Sequence, residues 1–453
     1  PSDSPLRSQA SCVACRLVQQ EIGYAQAGDK VVVGAGTYEE QLEIAKTLTL
    51  QGAGATTIIK SPATLPISFT TSAANFPVVY GHDADGIVVK NLTVDGAGRG
   101  NANYRFVGIG YNNAGGSVEN CVIKDIRDTP ISGSQHGNGL VVNAAAGTPR
   151  TFTLTGTTVT AFQKNAAVFS GANLTTQIVG NTITGAGAID FTAQNGIQVS
   201  SGATANVTDN TVTGFSYTPA SWTATGMLFY DAASVIAARN TVSGCQASIY
   251  YYNTGGTIEE NVVSTSAVAA GTTGLWAIVA DPGTAPRIAV QAYDAVPASL
   301  KQQNAVQSLA GTNALAFTIQ RNTVTGDGTN GVGVGFYSLG AEVMTALFTG
   351  NKVNGWAVGA DYYRDVTAAL TVTAHGNDLS GNVKAIDDQF TGVTQDASGN
   401  WFGGDPAALV TPNIDYTPYL GSGADADPMA PGFQPANMLL NVTAAGPQSG
   451  STS

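Results

Sequence analysis

Asn181-Thr-Ile-Thr-Gly185, Asn210-Thr-Val-Thr-Gly214, Asn240-Thr-Val-Ser-Gly244 and Asn322-Thr-Val-Thr-Gly326 are four copies of one phrase. Looser copies begin at Asn91, Asn120, Asn261, Asn351, Asn377 and Asn400, and a Thr takes the Asn place in Thr157-Thr-Val-Thr160. From Asn91 the steps are 29, 37, 24, 29, 30, 21, 61, 29, 26 and 23 residues, which is the range of repeat lengths that signals a solenoid. Each phrase is too short and too β-branched for a helix; Thr-Val-Thr alternates with period two and stops at Gly, so it reads as a strand.

Two further strands accompany each phrase. One precedes it directly, as in Gly116-Ser-Val-Glu119, Thr176-Gln-Ile-Val179 and Ala205-Asn-Val-Thr208. Another lies upstream, usually after Gly, as in Gly139-Leu-Val-Val142 and Gly226-Met-Leu-Phe229. Three short strands and three bends make one coil of a parallel β-helix. Stacked coils put equivalent residues about 4.8 Å apart, so Asn91, Asn120, Asn181, Asn210, Asn240, Asn261, Asn322, Asn351, Asn377 and Asn400 are expected to form a structural ladder. Asn suits a bend because its amide can bond to neighbours and its backbone tolerates the left-handed conformation.

Composition agrees. Of 453 residues 55 are Gly and 11% are charged, far below the roughly 25% of an average domain. The net charge of −12 and absence of a basic patch exclude nucleic acid as a partner. No apolar run approaches the length of a membrane-spanning helix. Cys121 and Cys245 lie several coils apart, too far to bond, whereas Cys12-Val-Ala-Cys15 is expected to be a local bond or two free thiols. The start at Pro1 suggests processing, and the Thr/Gly/Asn-rich composition points to a secreted or cell-surface protein. Asn91, Asn173, Asn206 and Asn441 sit in glycosylation sequons, read here as plain strand or turn residues.

Solenoid ends need caps. Leu17, Val18 and Ile22 fit one short amphipathic helix that plugs the first coil. Residues 1–28 are therefore read as arm and cap, 29–404 as the β-helix with a loop excursion near 281–312, and 405–453 as an extended segment containing a docking strand at 438–443. That strand, Met438-Leu-Leu-Asn-Val-Thr443, has no counterpart at the other end. Lys30-Val-Val-Val-Gly-Ala-Gly-Thr-Tyr-Glu39 and Lys46-Thr-Leu-Thr-Leu-Gln-Gly52 resemble the opening coil of right-handed parallel β-helix proteins of the pectate-lyase-like superfamily. The resemblance implies the fold, all-β with one right-handed stack from about 16 to 404.

The enzymes of that superfamily do not transfer residue by residue. Gly36-Thr-Tyr-Glu39 resembles a pectin methylesterase segment, but no Arg-Pro-Trp follows it. His136-Gly-Asn-Gly139 and Asp387-Asp388 imitate polygalacturonase pieces in the wrong order, and the Arg-x-Pro-x-x-Arg of lyases is missing. The remaining acid–base candidates are Asp83 and Asp85, beside Tyr80 and His82, with Asp125, Arg127, Asp128 and His136 in later coils. Such carboxylates and imidazoles could do acid–base work or hold Ca2+. Tyr111, Tyr230, Tyr252, Tyr337 and Tyr363 fall at related places, where stacked rings could meet a sugar face or simply stabilise the stack.

The sequence points first to a non-enzymatic extracellular structural protein without a cofactor. Its expected partner is itself, through head-to-tail stacking in which Met438, Leu439, Leu440 and Val442 are donated to the end built on Leu17, Val18 and Ile22. The alternatives are a polysaccharide lyase or hydrolase, and a glycan-binding adhesin.

Overall fold

The computed structural model describes residues 17–145, 147–218, 222–265, 274–282, 314–338, 343–364, 368–390 and 392–442. Cys12, Cys15, nearly all of the loop excursion read near 281–312 and the last residue of the 438–443 strand lie outside them.

The phrase folds as its period requires. In one coil Leu174–Val179 belongs to a first sheet, Thr182–Ile189 to a second and Asn195–Ser200 to a third; the chain then returns to the first sheet at Thr204–Thr208, beside the strand it left. Among the described residues, repetition gives three parallel sheets of 14, 11 and 13 strands, the last including a short antiparallel strand, Phe69–Thr70. The result is a right-handed parallel β-helix. Thirteen inter-strand steps along the first sheet make a rod roughly 60 Å long.

Alternation decides which side chains fill it. Val159, Ile183, Val212, Val242, Val263 and Val324 form one inward column of the second sheet, each at 0% exposure. Ile178, Val207, Ala237 and Ile258 do the same in the first sheet, and Ile197, Met227, Ile249 and Ile278 in the third. The core is therefore a continuous shaft rather than a ball.

The long 61-residue step is one coil. The Asn322 side chain receives the Asn261 N–H at 3.0 Å, with third-sheet strand Trp276–Asp281 and first-sheet strand Ala314–Gln320 on either side of the excursion.

Helix Val18–Tyr24 closes the first coil by burying Val18 and Ile22, while Leu17 stays exposed. Both Glu40 carboxylate oxygens accept N–H groups of its first turn, from Val18 at 2.8 Å and Gln19 at 3.0 Å. The Gln19 amide pairs with the backbone of Glu43, accepting its N–H at 2.7 Å and donating to its carbonyl at 3.2 Å. A side chain thus finishes the edge of the first third-sheet strand, Leu42–Ile44.

The far end departs from the extended segment expected there. Ile414–Asp415 adds a last strand to the first sheet. Leu440–Asn441 pairs antiparallel with Tyr419–Leu420 of the same chain, so the strand is not spare. Between them the chain doubles back: Ala426 N–H bonds to Gln434 at 2.7 Å, Phe433 N–H to the Gly350 carbonyl at 2.7 Å and Gly432 N–H to Thr323 Oγ1 at 2.8 Å. Phe433 is buried. This segment is a strap along the last coils, reaching from Leu420 back to Thr323.

Candidate functional site

The ladder is continuous from Asn181 to Asn400. In each step one Asn Oδ1 accepts both the backbone N–H and the Nδ2 of the Asn before it; Asn240 Oδ1 holds Asn210 at 3.0 and 2.9 Å, and Asn261 Oδ1 holds Asn240 at 2.9 and 2.9 Å. The second amide proton goes to a backbone carbonyl of the preceding coil, as from Asn240 to Val207 at 2.8 Å. All eight members are buried, and Thr157 begins the row by donating its N–H to Asn181 Oδ1 at 2.9 Å.

Asn91 and Asn120 do not join this ladder. They stand one residue earlier, at φ 54° and 50°, where their side chains are partly or fully exposed; the buried positions after them hold Leu92 and Cys121. The same left-handed place is filled elsewhere by Asp209, Arg239, Glu260 and Arg321, all with φ between 53° and 60°. Their charges alternate up the stack, with Arg239 bidentate to Asp209 at 2.9 Å and Arg321 to Glu260 at 2.9 Å. Left-handed backbone and ladder amide are two adjacent jobs, and Asn is eligible for both.

The acid–base candidates separate into two groups. Asp83 and Asp85 lie after third-sheet strand Ala74–His82, whereas Asp125, Arg127, Asp128 and His136 precede third-sheet strand Asn138–Asn143. A strand of about six residues, roughly 20 Å, divides them, so they do not form one centre.

In the first group His82 bridges Asp83 at 2.9 Å and Glu43 at 3.1 Å, Asp83 accepts from Asn113 at 2.9 Å and Asp85 pairs with Arg150 at 2.7 Å. The hydrogen bonds from His82 and Asn113 hold the Asp83 carboxyl below its ordinary value. In the second, Asp125 lies 3.3 Å from Arg127 and 3.5 Å from Lys124, which also pairs with Asp95 at 2.8 Å. Asp128 accepts from Ser132 Oγ at 2.5 Å and Gln163 Nε2 at 3.2 Å. His136 is 4% exposed, its ring edge-on to Tyr104 at 4.6 Å, and burial lowers its pKa. Among the described residues His136 Nδ1 and Asp128 Oδ1 have no hydrogen-bond partner. Among the described residues no three His, Cys, Asp or Glu side chains gather as a cation would require.

The tyrosines divide as well. Tyr111 points into the shaft, donating to the carbonyls of Ile87 at 3.0 Å and Ser117 at 3.2 Å. Tyr230, Tyr252, Tyr337 and Tyr363 lie outside the third sheet, packed with Leu228, Tyr250 and Val279. Tyr230 stacks on Tyr252 at 4.7 Å, but Tyr252 and Tyr337 are buried. Tyr111, Tyr252 and Tyr337 therefore cannot offer a ring face to a sugar. Cys121 and Cys245 are buried free thiols pushed up to about 11 and about 12 by burial, which makes them inert.

Sequence reading missed the amides of the wide turns leading to the third sheet. Gln163 accepts from Asp128 N–H at 2.9 Å, Gln194 from Ala186 at 2.8 Å, and Gln246 from Tyr217 and Ala224 at 3.1 Å each. A Gln just before a third-sheet strand was the available signal. Lys164, next to Gln163, is fully buried, donates to the Ala193 carbonyl and has its pKa pushed well down by burial.

The family model "Right handed beta helix region" matches residues 78–278. No curated protein matches the chain. Similar solved structures include the Dettilon tailspike protein, at 12% identity over 78% of this chain with a TM-score of 0.45; the match spans 63% of that protein's length. The A-module of the Azotobacter vinelandii mannuronan C-5 epimerase AlgE6 is 14% identical over 78% of this chain and 93% of its own, with a TM-score of 0.40. The catalytic unit of an alpha-1,3-glucanase from Streptomyces thermodiastaticus is 16% identical over 86% and 66%, with a TM-score of 0.44. At these identities the likeness is one of fold.

Proposed function

Starting from a chain that is a right-handed parallel β-helix, we propose that it serves as a non-enzymatic structural protein of an extracellular or cell-surface assembly, a stiff rod that stacks end to end with copies of itself. The observation that carries this reading is the unbroken ladder of buried Asn side chains across eight coils. The charged groups support it: Asp83, Asp85, Asp125, Asp209 and Glu260 are engaged with Arg, His or Asn, mostly across coils, so their charge holds coils in register.

For assembly, Met438, Leu439 and Val442 form an exposed apolar row at one end, while Leu17, Tyr24 and Val32 are exposed at the other. Because helix Val18–Tyr24 fills the first coil, the C-terminal strand meets the next copy as an added edge from its own pairing with Tyr419–Leu420, without leaving it. A head-to-tail contact of this sort does not close and grows into a filament.

Electron microscopy of the purified protein, with and without residues 437–453, tests the proposal. Filaments with a one-subunit axial repeat, lost on truncation, are expected. Dispersed single rods together with cleavage of any member of a polysaccharide panel would overturn it in favour of an enzyme. Such cleavage would be traced first to Asp128 and His136, whose unpartnered buried atoms are the feature that favours that rival.

A further inference from the structure

The Thr-Val-Thr half of the repeated phrase is left unexplained by the ladder. Its Val is the shaft; its two Thr face outward from the second sheet. Strand register places Thr158, Thr182, Thr211, Thr241, Val262 and Thr323 in one column. Two residues on in the same six strands stand Thr160, Thr184, Thr213, Ser243, Ser264 and Thr325. Eleven of these twelve positions carry a hydroxyl, and none is charged or aromatic. None is buried, and Thr182, Thr184, Thr211, Thr241 and Thr325 are fully on the surface.

The geometry is a two-dimensional grid, about 4.8 Å between coils and about 6.6 Å between columns. The one register shift in this part of the sheet lies beyond the grid, after Thr184. Thr is held in few rotamers by its branched Cβ, so hydroxyl and methyl groups are ordered before anything binds. Each hydroxyl offers one donor and two acceptor sites, and water bridging fixed groups is bound nearly as well as in a direct hydrogen bond. A neutral, rigid grid of this kind holds neighbouring waters in a periodic array, with the methyls between them.

A merely solvated strand face does not require such purity. The outer face of the first sheet, in the same coils, mixes Thr153 and Thr175 with Gln177, Asn206, Ile236 and Glu259. The second-sheet grid has no rings to stack on sugars, no cations for a polyanion, and no apolar patch large enough for a protein partner. The ligand it matches is itself a lattice of water. We infer that the outer face of the second sheet binds ice.

Partition of the full chain into slowly grown ice tests this, alongside inhibition of ice recrystallisation. Three forms are compared: the unaltered protein, Thr182→Lys with Thr211→Lys, and the first-sheet control Thr175→Lys with Thr204→Lys. All six strands continue inside as before, so equal melting temperatures are expected and confirm folding. Enrichment of the unaltered and control forms in ice, lost in the second-sheet variant, is the expected result. Exclusion of the unaltered protein from ice, or identical partition of all three, overturns the inference. The inference stands apart from the structural role, which is read from particle shape in liquid water.

Discussion

At the residue scale, the ladder converts one side chain into four hydrogen bonds, none reachable by water. Removing a central member leaves the N–H and amide of its neighbour without an acceptor, and a buried unmet group costs about 1–3 kcal/mol. Asn240→Ala is therefore expected to lower unfolding stability by about 3 kcal/mol in urea titration, whereas Asn181→Thr, which only lengthens the Thr157 start of the row, should cost less than half as much. Equal losses would sink the ladder's claimed role. A buried histidine adds a pH dependence. Burial keeps His136 neutral when folded, while the unfolded chain takes up a proton near pH 6.5. Its stabilising contribution is full above that value and declines as pH falls toward the lower folded pKa. His136→Phe should flatten the decline in melting temperature between about pH 7.5 and pH 5.5; an unchanged slope would assign it elsewhere. The Asn phrase was legible because it repeats, yet its first two copies were misassigned. Asn91 and Asn120 satisfy the left-handed site, and residue type alone does not tell that site from the amide site beside it.

At the element scale, legibility follows periodicity. Strands of the shaft and the plug helix with Val18 and Ile22 inward are dictated by alternation and by an i, i+4 pair. The strap has no period to read. It is held by backbone bonds to Gly350 and Thr323 and by one buried ring, Phe433. The acid–base candidates fall into two places for a related reason: a coil's contour, not its sequence count, decides which bends meet. Phe433→Ala removes a side chain whose burial is worth about 3 kcal/mol. Because few other contacts hold the segment, the loss is expected locally. Hydrogen exchange at residues 421–436 should rise sharply while Asn322 to Asn400 keep their protection. Parallel loss along the ladder would mean that the strap is integral to the shaft.

At the scale of the whole molecule, charge is the term that would oppose the proposed end-to-end stacking. The chain carries −12, and residues 392–442 hold five Asp with no Lys, Arg or Glu. The opposite end, residues 17–60, has five acidic and three basic residues, a balance of −2. Two copies approaching head to tail therefore bring like-signed ends together, against an attraction supplied by the exposed Met438, Leu439, Leu440 and Val442 row. Repulsion between exposed charges reaches about 30 Å in 0.01 M salt but only about 3 Å in 1 M. The apolar term is not screened and is strengthened by sulfate. Assembly is thus expected to be negligible in dilute buffer and to grow with added salt, sulfate outperforming chloride at equal ionic strength. Sedimentation of the full chain at stepped salt concentrations measures it. Val442→Lys with Leu439→Lys, which weakens the apolar row, should shift the onset to higher salt or remove it. Association that falls as salt rises would show that opposite charges, and not this apolar edge, join the rods.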